Sequence, residues 1–139
     1  MKHIQSFCES LGKNGCYFFC LVSIAEEVTG QKYNELKEAE RCIKKGYMKY
    51  NYDNPRDEDN FYIMNPAKIL EHLTGETWLV RKESSDYELK PKDYAVEFWS
   101  INGVSGHFAR MYKGFNSLYY SNNVRNGKIK SYRIFNIVG

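Results

Sequence analysis

The chain has 139 residues, a net charge of +3, 42% hydrophobic and 27% charged residues, the make-up of one globular domain rather than a disordered segment. Lys and Arg number 20 and are interspersed with 17 acids, so nucleic-acid binding is not indicated. No apolar run of about eighteen residues is present, so no membrane contact is expected, and MKHIQSFCESLGK lacks an apolar signal core, so cytoplasmic residence is expected.

The first long apolar segment is Cys16 to Thr29, CYFFCLVSIAEEVT. Asn14 is placed to act as its N-cap and Gly30 to close it. It is apolar nearly all round until Glu26, which marks a helix buried in the domain centre. Before it, His3 lies in a terminal segment, and SFCESLGKN reads as a loop. A second helix is expected over Tyr33 to Lys45, with Leu36, Ala39, Cys42 and Ile43 on one face. Lys49 to Asn60 reads as an exposed acidic loop. A third helix starts at Asn65 and Pro66 and ends at Gly75.

After Gly75 the hydrophobic period changes to two. Strands are predicted over Thr77–Lys82, Tyr94–Ile101, His107–Lys113, Leu118–Ser121 and Lys128–Val138. The turns NGVSG, GFN and NNVRNG between them suit hairpins. The expectation is a single α+β domain over residues 1–139, three helices followed by an antiparallel meander of about five strands.

Four cysteines occur, Cys8, Cys16, Cys20 and Cys42. None forms a C-x-x-C pair, and in a cytosolic protein they are expected as reduced thiols. A zinc site from Cys8, Cys16, Cys20 and a histidine would need unusual spacing, so neither metal nor cofactor is expected. Cys16 stands at the start of the central helix, where unsatisfied N–H groups and the helix dipole favour a thiolate. Its bland reading is a small buried apolar residue.

A thiolate nucleophile needs a base and a group that orients the base. His72 falls within the third helix and reads as a surface residue. His107 opens a strand, GHFARMY. Alternation places His107, Ala109 and Met111 on the face expected to meet the buried helix. Asn122, in LYYSNN, ends the next strand on the same face as Leu118 and Tyr120, where its side-chain oxygen would fix the His107 tautomer. Turn chemistry is its plainer reading.

The order of Cys at a helix start, His opening a strand, and a polar residue ending the next strand resembles the papain-like cysteine peptidases. NGCYFFCLVSIAEE and GHFARMYKGFNSLYYSNN are closest to the bacterial double-glycine-peptidase-like and cell-wall amidase-like branches. The resemblance implies a papain-like fold with Cys16 as nucleophile, His107 as base and Asn122 as orienter. It also implies a glutamine in the oxyanion hole; Ser10 occupies that spacing, and Gln5 is the nearest upstream glutamine. Tyr17-Phe18 replaces the branch's Gly-Pro, and Asn122-Asn123 its Asp-Pro. NGCYFF and KGYM also resemble a family of uncharacterised proteins from spirochaete plasmids and other mobile elements.

Three readings follow. The first is a cysteine hydrolase acting on an amide bond in a peptide or peptidoglycan stem. The second is a catalytically inactive papain-like module that binds a peptide or protein partner. The third is a nucleic-acid-associated protein using Arg110, Lys130 and Arg133 on an outer sheet face. The sequence carries no sign of oligomeric state.

Overall fold

The computed structural model describes residues 2–101, 105–116 and 127–139. In chain order the elements are α1 (Lys2–Asn14), α2 (Cys16–Thr29), α3 (Glu35–Lys44), β1 (Met48–Lys49), β2 (Tyr62–Ile63), α4 (Pro66–Thr74), β3 (Trp78–Ser84), β4 (Tyr94–Ile101), β5 (Ser105–Ala109), a 3-10 turn (Met111–Lys113) and β6 (Gly127–Ile137). The architecture is α+β, as the change of period after Gly75 indicates. No described helix is long and apolar enough to cross a membrane.

Helix α2 has the expected bounds. Phe18, Cys20, Leu21, Ile24 and Ala25 are wholly buried, which accounts for its apolar circumference. Gly30 closes it in the left-handed conformation, φ 72°, with its N–H donating to the Glu26 carbonyl. What precedes α2 differs from the sequence reading. The segment taken as terminus and loop is helix α1, whose Phe7 and Leu11 are buried one turn apart. Its apolar stripe is short, and the polar residues between hide it.

The cap also differs. Gly15, not Asn14, joins the helices: its N–H donates to the Leu11 carbonyl at 2.8 Å, and its carbonyl accepts from Phe19 N–H at 2.9 Å. A Cβ at residue 15 would stand 2.5 Å from the Leu11 carbonyl oxygen, so this joint requires glycine. Helices α3 and α4 are capped by Asn34 and Asn65, whose side chains accept from the N–H groups of Lys37 and Lys68. His72, read as a surface residue, instead ties α4 to α3, with Nε2 2.7 Å from Glu38 Oε2.

The main sheet is antiparallel in the order β3-β6-β4-β5, and β1 and β2 form a separate two-stranded ladder. Four strands, not five, make up the main sheet among the described residues. The expected strand at Leu118–Ser121 lies outside them. Nor is the sheet a simple meander, because β6 lies between β3 and β4. Ile134 and Phe135 are adjacent, point to opposite faces and are both wholly buried, so β6 needs cover on both sides. An interior position supplies it.

Register divides the sheet into two faces. Phe108 lies beside Phe98, and Val96 beside Arg133. On this face Trp78, Val96 and Phe135 join Phe18, Leu21, Ile69 and Leu70 in the hydrophobic core, with Phe108 packed against it. His107 lies beside Trp99, and Ala109 beside Glu97, on the other face. His107 was expected to face the buried helix. It is buried, at 3% exposure, but on the face turned away from the main core. The strand predicted from His107 to Lys113 instead begins at Ser105 and stops at Ala109, where the Glu97 carboxylate accepts from the N–H groups of Met111 and Tyr112 and bends the chain into the 3-10 turn.

Candidate active site

Cys16 is the first residue of α2. Its own N–H, that of Tyr17 and that of Phe108 on β5 all favour its ionised form. β5 is an edge strand, so half of its backbone groups turn away from the sheet. The Tyr17 ring stacks on the Phe108 ring, centroids 4.2 Å apart and planes at 15°. The first turn of α2 is thereby fastened to β5 immediately beside His107.

A second tie lies deeper. Arg110, read as outward-facing, is 1% exposed. Its Nε donates to the Ala95 carbonyl at 3.0 Å, Nη1 to Ser23 Oγ at 3.1 Å and Nη2 to Glu27 Oε1 at 2.8 Å. One guanidinium therefore satisfies groups on β4 and α2 at the exit of β5. It cannot contribute to a nucleic-acid surface.

His107 Nε2 lies 2.6 Å from Asn116 Oδ1. An amide oxygen accepts from an N–H, so with Asn116 Oδ1 facing it the ring's Nε2 carries a proton. The 3-10 turn delivers Asn116. Arg110 and Phe115 exchange both backbone hydrogen bonds, 2.9 and 3.0 Å, and Gly114 supplies the left-handed corner at φ 71°. Glu97, 2% exposed, fixes the turn from beneath and also accepts from Trp99 Nε1 at 2.9 Å.

Cys16 opens into a groove of about 470 Å³. Tyr17, Phe108, Lys82 and Arg133 line it from the helix and sheet, and Glu58 and Asp59 from the loop after β1. Of the other sequence candidates, Asn122 lies outside the described residues. Gln5 is exposed on α1, with Nε2 3.4 Å from Glu9 Oε1. Two and a half turns, about 13 Å of helix axis, separate it from Asn14.

A family profile described as "Protein of unknown function, DUF261" matches residues 2–137. The chain belongs to this family. Compared with the curated proteins and with the solved structures, it finds no match.

In this DUF261 chain burial decides the resting protonation. The Cys16 thiol is raised above its ordinary value, because desolvation outweighs the three N–H groups that favour the thiolate. This corrects the expectation of a thiolate drawn from helix position alone. The joint at Gly15 adds a reason: the carbonyl end of α1 abuts the N–H end of α2, so the two dipoles oppose each other there. His107 is lowered by burial, partly offset by Asn116. Cys20, one turn below Cys16, is held well above its ordinary value by burial and is no competing nucleophile. Among the described residues no group of three His, Cys, Asp or Glu side chains converges as a metal set.

Asn116 is the site residue that sequence reasoning missed, and Arg133, read as part of an outer sheet face, lines the groove beside Cys16 instead. Asn116 sits in GFN, where turn chemistry accounted for it fully. Its one signal was its place nine residues after His107, within hairpin reach.

Proposed function

We propose that this chain is a papain-like cysteine hydrolase that cleaves an amide bond in a peptide or peptidoglycan stem. Cys16 is the nucleophile, His107 the base and Asn116 the orienting residue. One observation carries the reading. Cys16, Tyr17 and Phe108 meet where the start of α2 is stacked on β5 through the Tyr17 and Phe108 rings, their backbone N–H groups favour the Cys16 thiolate, and the residue before Phe108 is a buried histidine held by an asparagine.

The chemistry follows from those positions. In this reading Cys16 starts as a thiol, and its proton passes to His107 as sulfur attacks the substrate carbonyl. The carbonyl electron pair moves to oxygen, and the Cys16 and Tyr17 N–H groups stabilise the charge there, where no glutamine is supplied. Collapse breaks the C–N bond, and the amine leaves with the proton from His107. Water, deprotonated by His107, then hydrolyses the thioester and restores the thiol. Asn116 keeps the imidazole in the required tautomer and stabilises the imidazolium.

The test is acylation of Cys16 by p-nitrophenyl acetate, followed by intact mass. The expected result is an acetyl adduct confined to Cys16. In His107→Ala its formation slows by about a hundredfold or more. Absence of the adduct, or equal acylation of Cys8, overturns the hydrolase.

A second reading draws on the raised Cys16 and lowered His107. A pair resting as neutral thiol and neutral imidazole also suits a papain-like module that binds a peptide in the same groove without cleaving it. That reading predicts peptide binding that survives Cys16→Ser, with no acyl adduct in the wild type.

A further inference from the structure

The groove over Cys16 has a wall whose charge is not balanced from within the described protein. Lys82 on β3 and Arg133 on β6 are directly opposed in the sheet, and both line the groove. Like charges opposed across an antiparallel pair disfavour the sheet. Among the described residues neither has a carboxylate within ion-pair distance, although the neighbouring Arg81 is paired with Glu83 and Asp93. Glu58 and Asp59 line the same groove without reaching either cation.

The Arg133 guanidinium is preorganised. It lies over the Phe98 and Phe108 rings, 5.7 and 5.6 Å from their centroids, and Nη1 donates to Ser131 Oγ at 2.9 Å. The planar group rests on the same Phe108 ring that stacks on Tyr17 beside the thiol. A flat cation on an aromatic shelf, with donors remaining, is built to receive a planar anion in bidentate fashion.

We propose that Arg133, assisted by Lys82, seats a carboxylate of the molecule that Cys16 attacks. The substrate class is then a peptide amide bearing an acidic group beside the scissile bond, the carboxylate against the β3–β6 wall. Glu58 and Asp59 line the remainder of the groove, so a single carboxylate is favoured over a polyanion. This deepens the hydrolase reading and rests on it for the word substrate; the carboxylate site itself does not.

The test compares two alkylating agents of nearly equal size, iodoacetate and iodoacetamide. In each, the Cys16 sulfur displaces iodide from the CH2 carbon, and only iodoacetate carries the charge. Rates at Cys16 are followed by mass spectrometry and normalised to glutathione. The expected result is an iodoacetate-to-iodoacetamide ratio about tenfold above that of glutathione, falling with added salt. Arg133→Gln is expected to bring the iodoacetate-to-iodoacetamide ratio down to that of glutathione, and Arg133→Lys to restore part of the preference. Should Arg133→Gln fail to fold, Lys82→Gln carries the same comparison and is expected to lower the ratio. A ratio equal to that of glutathione in the wild type overturns the proposal. So does a Cys16 that neither reagent reaches, since a groove closed to acetamide admits no peptide. Acylation by p-nitrophenyl acetate without a carboxylate preference removes this proposal and leaves the hydrolase. A carboxylate preference without acylation does the reverse.

Discussion

Tyr17 and Phe108 stack with their ring centroids 4.2 Å apart, and the backbone N–H groups of these same two residues favour the Cys16 thiolate. One ring pair therefore aligns the helix end with the strand edge and shields the thiol from water. The two effects can be separated. Tyr17→Ala removes a stack worth about 1 kcal/mol and readmits water to the sulfur. Burial no longer raises the thiol as far, so iodoacetamide labelling of Cys16 at pH 8 should become faster. Acylation by p-nitrophenyl acetate should become slower, because the N–H groups lose their alignment. Parallel changes in both rates would mean that Tyr17 only gates access.

Asn116 and Asn122 can be weighed against each other directly. Asn116→Ala is expected to slow Cys16 acylation by about tenfold or more, with a loss of stability of about 1 kcal/mol. Asn122→Ala is expected to leave acylation unchanged. Acylation kinetics and urea unfolding on both variants settle the assignment. The reverse outcome would make Asn122 the orienter and Asn116 a turn residue.

The buried titratable groups set the pH range of stability. His107 is held below 6.5 in the fold, so its contribution is present above that value and lost as pH falls through the lowered one. Cys42 is pushed up to about 12 by burial and by Glu38. Its contribution is present below 9.0 and lost as pH rises towards 12. Urea midpoints of the wild type should therefore fall on both sides of neutrality. The His107→Gln variant should flatten the acid limb between pH 7 and 5 and leave the alkaline limb in place. An unchanged acid limb would show that His107 does not titrate in this range.

Arg110→Met should destabilise the fold by about 2 kcal/mol, because the Ala95 carbonyl and Ser23 hydroxyl lose their donor inside the protein. Glu27 is partly exposed, so Glu27→Gln should cost less than about 1 kcal/mol. Chemical denaturation distinguishes the two. Similar costs would mean that the ion pair, not the buried hydrogen bonds, holds α2 to β5.

Helix α2 was legible to the residue because its apolar circumference and Gly30 are strong local signals. The cap at Asn65 and the bounds of β4 were legible for the same reason, whereas the cap at Asn34 lay inside the helix predicted from Tyr33. What escaped reading depends on partners distant in sequence. Helix α1 is anchored through few apolar residues, and its polar remainder reads as loop. Alternation turned His107, Ala109 and Met111 toward the buried helix, whereas Phe108 and Arg110 are the residues that meet it. It could not reveal that Ala95, Ser23 and Glu27 would converge on the guanidinium. Asn116 was hidden by the opposite problem, an adequate local explanation. The order of strands was beyond reach because β6 pairs with two strands that precede it by unequal intervals.

That insertion has a consequence for the newly made chain. The β4–β5 hairpin joins near neighbours and can close as it emerges from the ribosome. Strand β3 and that hairpin share no hydrogen-bonded edge until β6 slides between them, and closure across such sequence distance is slow. Until then two strand edges stand open to neighbouring nascent chains, a setting in which chaperones compete with aggregation. The Lys82–Arg133 wall is itself made by this last step. A ribosome stalled before β6 therefore displays the thiol without the wall, and charge selectivity at Cys16 becomes a mark of chains translated through Ile137.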